Sequence, residues 1–311
     1  MTKALIATGV ISVIVSFFAH KEYDKYQHKK ELEVARQQEI QRQINYRKAQ
    51  EAWADSILRT MTTEEKIGQL FMVASWSNKD EQHFKEIDKL VAEQRIGGVI
   101  FFQGSPSKQA LLTNRYQAKA KVPLMISIDG EWGLGMRLDS TISFPRAMIL
   151  GAIQDNQLIE EMGEEIARQC RRLGIHANLS PVADVNSNAA NPVIGTRSFG
   201  ENKENVAQKA IAYMRGLQRN GIIATAKHFP GHGDTDADSH YTLPIIKHSQ
   251  ERLHEVELYP FKRMIEDSLQ SVMVAHIHVP SFDSTKNLPT TLSPYAVQKL
   301  LIDSLNFKGL I

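Results

Sequence analysis

The chain has 311 residues, with 37 Lys+Arg against 35 Asp+Glu and 42% hydrophobic residues. That is an ordinary globular mix, long enough for one large α/β barrel or two small domains, and it excludes a disordered or collagen-like chain. Near-neutral charge argues against a dedicated nucleic-acid binder. The single cysteine, Cys170, excludes a disulfide framework or a cysteine-based zinc site.

The charge is unevenly placed. Residues 20–50 hold eight Lys/Arg against five Asp/Glu, so with Lys3 the N-terminal arm carries a net +4 and the remainder about −2. Ahead of that arm, Ala4 to Ala19 are sixteen residues without a charge. A signal-peptide core takes about 7–15 apolar residues and a spanning helix about 20, so the segment falls between the two. Phe17, two before Ala19, spoils a small-x-small cleavage site, and no cysteine follows that could carry a lipid anchor. Residues 1–20 are therefore read as an export signal retained as a membrane anchor. Lys21, Lys25, Lys29 and Lys30 favour keeping the following side cytoplasmic, which leaves the orientation open. A buried helix of the main domain is the competing reading, and the polar arm argues against it. Residues 21–58 predict a charged, solvated helical stalk. Its apolar positions, Leu32, Ile40, Ile44, Trp53 and Ile57, are too sparse to specify a coiled coil.

From residue 62 the texture changes. Thr62-Thr63-Glu64-Glu65-Lys66 reads as a helix start, a capping hydroxyl followed by first-turn acids. Short apolar runs then recur at 69–75, 97–102, 123–129, 175–185, 221–229 and 271–280, separated by helix-period stretches such as 154–173, 202–220 and 249–267. Continuous apolar strands alternating with helices specify a parallel sheet covered on both faces. No G-x-G-x-x-G turn follows any strand. The expectation for 59–311 is thus a (β/α)8 TIM-type barrel rather than a Rossmann sheet, cut short after about six βα units and the start of a seventh strand.

Polar residues gather where the strands end: Asp129, Asp184, Lys227-His228 and His276/His278. In a (β/α)8 barrel that is the catalytic face. Asp184 alone could equally be a helix N-cap. The densest stretch, residues 227–240, holds three His, three Asp and a Lys in a loop punctuated by Pro230, Gly231 and Gly233. A metal site competes here, but the spacing fits no standard zinc motif, and Lys227 beside His228 would repel a cation. Acid–base chemistry is the alternative. In extended geometry Asp238 and His240 would share a face, and the carboxylate could fix the imidazole tautomer and raise its basicity.

The phrase KHFPGHGDTDADSHYTLP resembles the signature of family 3 glycoside hydrolases of the bacterial β-N-acetylglucosaminidase (β-hexosaminidase) type. The resemblance extends over about residues 60–311. Asp129-Gly130-Glu131-Trp132-Gly133, Phe144-Pro145, residues 191–200 (NPVIGTRSFG) and Tyr259-Pro260-Phe261 agree in order and spacing. It implies removal of terminal β-linked N-acetylglucosamine, from peptidoglycan fragments or related glycans, with retention of configuration. Asp129, Arg137, Arg197, Lys227 and His228 would bind the sugar, His240 would be the acid/base and Asp238 its polarising partner. It implies no metal, no organic cofactor and a carbohydrate substrate, and together with the N-terminal segment it implies a membrane-anchored protein of the bacterial cell envelope, on the periplasmic side, with the oligomeric state open.

Two departures stand out. Trp132 replaces a family glycine, which would narrow the pocket or add a sugar-stacking face. The family's nucleophilic aspartate lies a few residues beyond Phe-x-Gly-Leu-Ile, and here that phrase is Phe307-Lys308-Gly309-Leu310-Ile311. The sequence is therefore expected to be a piece of a longer enzyme, inactive alone for want of the nucleophile. A membrane-anchored carbohydrate-binding pseudoenzyme and a family 3 β-glucosidase are the alternatives.

Overall fold

The structure, a computed structural model, describes the chain from Thr2 onward except His240, with the side chains of residues 2–19 and of Glu22 outside that description. The chain divides into two compact units, the second being Glu64–Ile311. In the first, α1 (Thr2–Leu58) is one uninterrupted helix, so no break separates the apolar segment from the stalk. The expected anchor, residues 1–20, has all its side chains but that of His20 outside the description. Among the described residues no helix is long and apolar enough to cross a membrane. From His20 on, almost every described side chain of α1 is exposed. Helicity there rests on straight-chain Lys, Glu, Gln and Arg residues and on i,i+4 pairs such as Gln43–Glu39, not on burial within this unit.

α2 (Thr63–Gly68) has Glu64 and Glu65 in its first turn, as the capping pattern predicts. The βα units follow in order: β1 (Met72–Ser75), α3 (Glu81–Ala92), β2 (Gly98–Phe101), α4 (Pro106–Gln117), β3 (Met125–Ile128), α5 (Ala147–Gly151), α6 (Asn156–Arg172), β4 (Ala177–Asn178), α7 (Lys203–Arg219), β5 (Ile223–Phe229), α8 (Gln250–Glu255), α9 (Leu258–Glu266) and β6 (Ser271–Val274). Five of the helices start on a side-chain cap, from Asp80, Ser105, Asp155, Asn202 and Ser249. The predicted single helix over 249–267 is two, and Pro260 explains the break. It donates no N–H, and its ring would clash with the carbonyl of Val256, the first of the two residues between α8 and α9.

All six strands are parallel and lie in the order β1-β2-β3-β4-β5-β6. Each unit adds beside its predecessor with no reversal, the winding of a (β/α)8 barrel rather than of a doubly wound sheet. The sheet forms a curled half-barrel. Leu310 then pairs in parallel with Ser271, which lays the first residues of the expected seventh strand beside β6. β4 is only two residues long because Pro181 cannot donate to the ladder, and parallel pairing resumes at Val182 and Lys227.

Period-two alternation sorts the side chains. Phe101 stacks on Tyr116 of α4, and Asn178 bonds Tyr213 of α7, so these residues face the helix layer. Ile223, Thr225 and Lys227 alternate with buried Ala224 and Ala226, which aims Lys227 into the barrel interior at the C-terminal end of β5. α6 and α7 cross at paired glycines. A Cβ on Gly216 would lie 2.2 Å from the Glu160 carbonyl, so a side chain there would force the helices apart.

Cys170, on α6, is fully buried, and burial pushes its thiol up to about 12. Native protein at pH 8 is therefore expected to resist iodoacetamide, with alkylation appearing only in denaturant. Labelling at the rate of a free thiol would show that α6 opens easily.

Candidate active site

The site lies at the C-terminal end of the sheet and grows from three strand ends. Asp129 directly follows β3. Its Oδ1 accepts from Lys227 Nζ at 2.5 Å and its Oδ2 from Arg137 Nη2 at 2.6 Å. Arg137 Nε also donates to the Asp129 carbonyl at 3.0 Å, fixing the guanidinium beside the strand end. Two residues on, Glu131 takes a two-pronged contact from Arg197, at 2.6 and 3.0 Å, and lies 2.8 Å from Lys227 Nζ. Lys227 is thus shared by two carboxylates, with its side chain 1% exposed and that of Glu131 5% exposed.

Three carboxylates, Asp129, Glu131 and Asp184, balance Lys227, Arg137 and Arg197. Burial alone would raise the Glu131 carboxyl, but Lys227 and Arg197 outweigh it and hold the group at about 2. Asp129 is likewise held below the usual range, burial being outweighed chiefly by Lys227. Both stay ionised at neutral pH.

Asp184 is fully buried and caps no helix, contrary to the simplest reading of its position. Its Oδ1 accepts the backbone N–H of His228 at 3.1 Å and of His232 at 2.7 Å, and its Oδ2 lies 2.7 Å from His228 Nδ1. A buried carboxylate needs such donors, and these three set both the loop backbone and the His228 tautomer, with hydrogen on Nδ1. The free Nε2 faces Arg197 Nη2 at 3.4 Å.

Asn191 shapes the neighbouring loop. Its Oδ1 accepts from the N–H groups of Val193 and Ile194, and its Nδ2 donates to the His232 carbonyl at 2.8 Å, tying the Arg197 loop to the 228–240 loop.

Asp129, Arg137, Arg197, Lys227 and His228, the five expected sugar-binding residues, line one cavity of about 460 Å³, together with His232, Ser239 and His276. His278, the other histidine after β6, instead bonds the Leu288 carbonyl and is not among the lining residues. His240 lies outside the described residues. The Asp238 carbonyl accepts from the N–H groups of Tyr241 and Thr242. Trp132 does not line the cavity. Its ring packs under Arg146, 4.6 Å from the guanidinium carbon, and Arg146 also reaches Thr196, so the indole braces the Arg197 loop rather than narrowing the pocket. Among the described residues no group of three His, Cys, Asp or Glu side chains is placed to hold a metal ion.

Residues 62–311 match the glycosyl hydrolase family 3 N terminal domain. The chain belongs to that family. Beta-hexosaminidase A of Pseudoalteromonas piscicida is 34% identical over 247 residues, 72% of this chain and 41% of the relative. A beta-N-acetylglucosaminidase/beta-glucosidase of Cellulomonas fimi is 29% identical over 84% of this chain and 47% of its own length. Among solved structures, the family 3 β-N-acetylglucosaminidase of Paenibacillus sp. str. FPU-7 superposes with a TM-score of 0.75 at 38% identity, covering 81% of this chain and 49% of that one. The family 3 domain described here thus spans less than half the length of these three relatives.

Glu131, Asp184 and His232 are among the members of the site to which sequence reasoning gave no role. Glu131 stood inside a quoted phrase and Asp184 at a strand end, but their partners come from other βα units.

Proposed function

We propose that the protein is a retaining, exo-acting β-N-acetylglucosaminidase, with residues 62–311 supplying its sugar pocket and its acid/base. The convergence of Asp129, Arg137, Arg197, Lys227 and His228 on the cavity that Ser239, the middle residue of Asp238-Ser239-His240, also lines carries this reading. A pyranose hydroxyl both donates and accepts. The Asp129 carboxylate accepts, while Lys227 and the two guanidiniums donate in fixed directions because their partners already hold them.

In this scheme His240 protonates the glycosidic oxygen while the nucleophilic aspartate expected of the family attacks the anomeric carbon. His240 then takes a proton from the water that hydrolyses the covalent intermediate. An imidazole does both steps near neutrality, and Asp238 polarises it. The relatives' names support N-acetylglucosamine as the sugar. The uncharged segment 4–19 supports an exported, membrane-anchored protein of the bacterial envelope, acting on peptidoglycan fragments or related glycans, while the lysines behind the segment favour the opposite orientation.

Nitrophenyl glycosides test the reading on the full-length protein. The expected result is a higher kcat/KM for the β-N-acetylglucosaminide than for the β-glucoside. The reverse order would overturn the sugar assignment and favour a β-glucosidase. Retained N-acetylglucosamine binding with no hydrolysis of either would mark a carbohydrate-binding protein instead.

A further inference from the structure

We infer that His232 is a positioning residue for the acid/base, pinning through Ser239 the loop that carries Asp238 and His240 to the buried Asp184. The inference rests on the acid/base role proposed for His240.

Residues 234–239 contain no helix or strand, and their carboxylates and small side chains bury little apolar surface. Something must hold this stretch still, because a general acid has to sit within hydrogen-bond reach of the atom it protonates. Thr235 is bonded to His232 and Asn191, and two further ties bear on the acid/base. Near the start of the stretch, Asp234 pairs with His248. At the other end, Ser239 Oγ lies 2.9 Å from His232 Nε2, in the cavity and directly before His240.

The second tie leads to rigid structure. His232 is buried, its backbone N–H donates to Asp184 Oδ1, and its carbonyl accepts from Asn191 Nδ2. The other ring nitrogen is fixed as well. Thr235 Oγ1 lies 2.7 Å from His232 Nδ1 and 3.1 Å from the His232 carbonyl, and accepts from Asn191 Nδ2 at 3.2 Å. With the hydroxyl hydrogen turned to the carbonyl, the oxygen accepts Nδ1–H, which leaves the Nε2 lone pair to accept from the Ser239 hydroxyl. Burial lowers the His232 pKa, which favours this neutral form. The same Asp184 carboxylate orients His228 on the sugar side. One buried carboxylate therefore sets the spacing between the sugar-binding histidine and the acid/base loop.

The test uses the full-length protein and two aryl N-acetylglucosaminides, one with a good and one with a poor leaving group. Ser239→Ala and His232→Ala are each expected to lower kcat on the poor leaving group by about 5- to 10-fold, the worth of one hydrogen bond. The good leaving group, which needs little protonation, should suffer less at the glycosylation step. Affinity for N-acetylglucosamine should stay within twofold for Ser239→Ala, and Ser239→Thr, which keeps the hydroxyl, should restore turnover. In a His240→Ala background Ser239→Ala should cost nothing further, because it acts only through His240. A full additional loss in that background, or no loss in the wild-type background while His240→Ala is impaired, overturns the inference alone. Unchanged turnover in His240→Ala itself overturns the acid/base reading and this inference with it.

Discussion

His240→Ala in the full-length protein is expected to lower kcat by roughly 10²–10⁴-fold, the usual worth of a positioned general acid/base. The loss should depend on the leaving group. A good aryl leaving group departs with little protonation, so glycosylation should suffer less than deglycosylation, where water still needs a base. The variant should then accumulate the covalent intermediate, seen as a burst of nitrophenol and as an added sugar mass on the protein. Asp238→Asn should cost no more than His240→Ala, since it disturbs orientation and basicity without deleting the proton carrier. A metal-dependent site makes the opposite forecast, in which EDTA abolishes activity and a divalent ion restores it. That result, with His240→Ala within threefold of wild type on both substrates, would defeat the acid/base assignment.

Much of the positioning was legible because it is local. Strands run two residues per repeat and the barrel puts chemistry at their C-terminal ends, so an apolar run ending in Asp129 or in Lys227-His228 announces the site before any contact is known. Alternation puts Lys227 on the face of Ile223 and Thr225, and its contacts with Asp129 and Glu131 show that this face is the inner one. The break between α8 and α9 was equally available, because Pro260 stands inside the helical stretch and had been noted only as part of a family phrase.

What stayed hidden is what depends on partners distant in sequence. Glu131 meets Arg197 66 residues away, and Asp184 meets the N–H groups of His228 and His232 44 and 48 residues away. A lone acid after a strand looks the same whether it caps a helix or orders two loops. Trp132 misled for a related reason. A bulky ring in place of glycine predicts a narrower pocket only if the ring points inward, and the stack with Arg146 decides otherwise.

Lys227→Met should be among the most damaging substitutions for stability as well as for binding. The ammonium is nearly inaccessible and is shared by Asp129 and Glu131. Removing it leaves two buried carboxylates facing each other with only Arg137 and Arg197 to offset them. Breaking a buried ion pair from one side costs about 3–5 kcal/mol, because the remaining charge stays desolvated. In a folding unit of this size that lowers Tm by about 6–20 °C.

The pH dependence gives the sharper check. In the wild type the folded Glu131 carboxyl is held at about 2, below its unfolded value. Its contribution to stability is therefore fully present above about pH 4.5 and is lost as pH falls from there toward 2. Without Lys227 the carboxylates should bind a proton more readily when folded. The variant should then lose less stability than wild type on acidification through that window. Glu131→Gln in the Lys227→Met background removes one of the repelling charges and should recover part of the lost stability, although Glu131→Gln alone destabilises by freeing Arg197 and Lys227 of a partner. That reversal of sign is the signature of direct coupling. Strict additivity of the two substitutions in denaturant melts at pH 7, or a Lys227→Met variant within 1 kcal/mol of wild type, would mean that Lys227 is not the cation holding these carboxylates together.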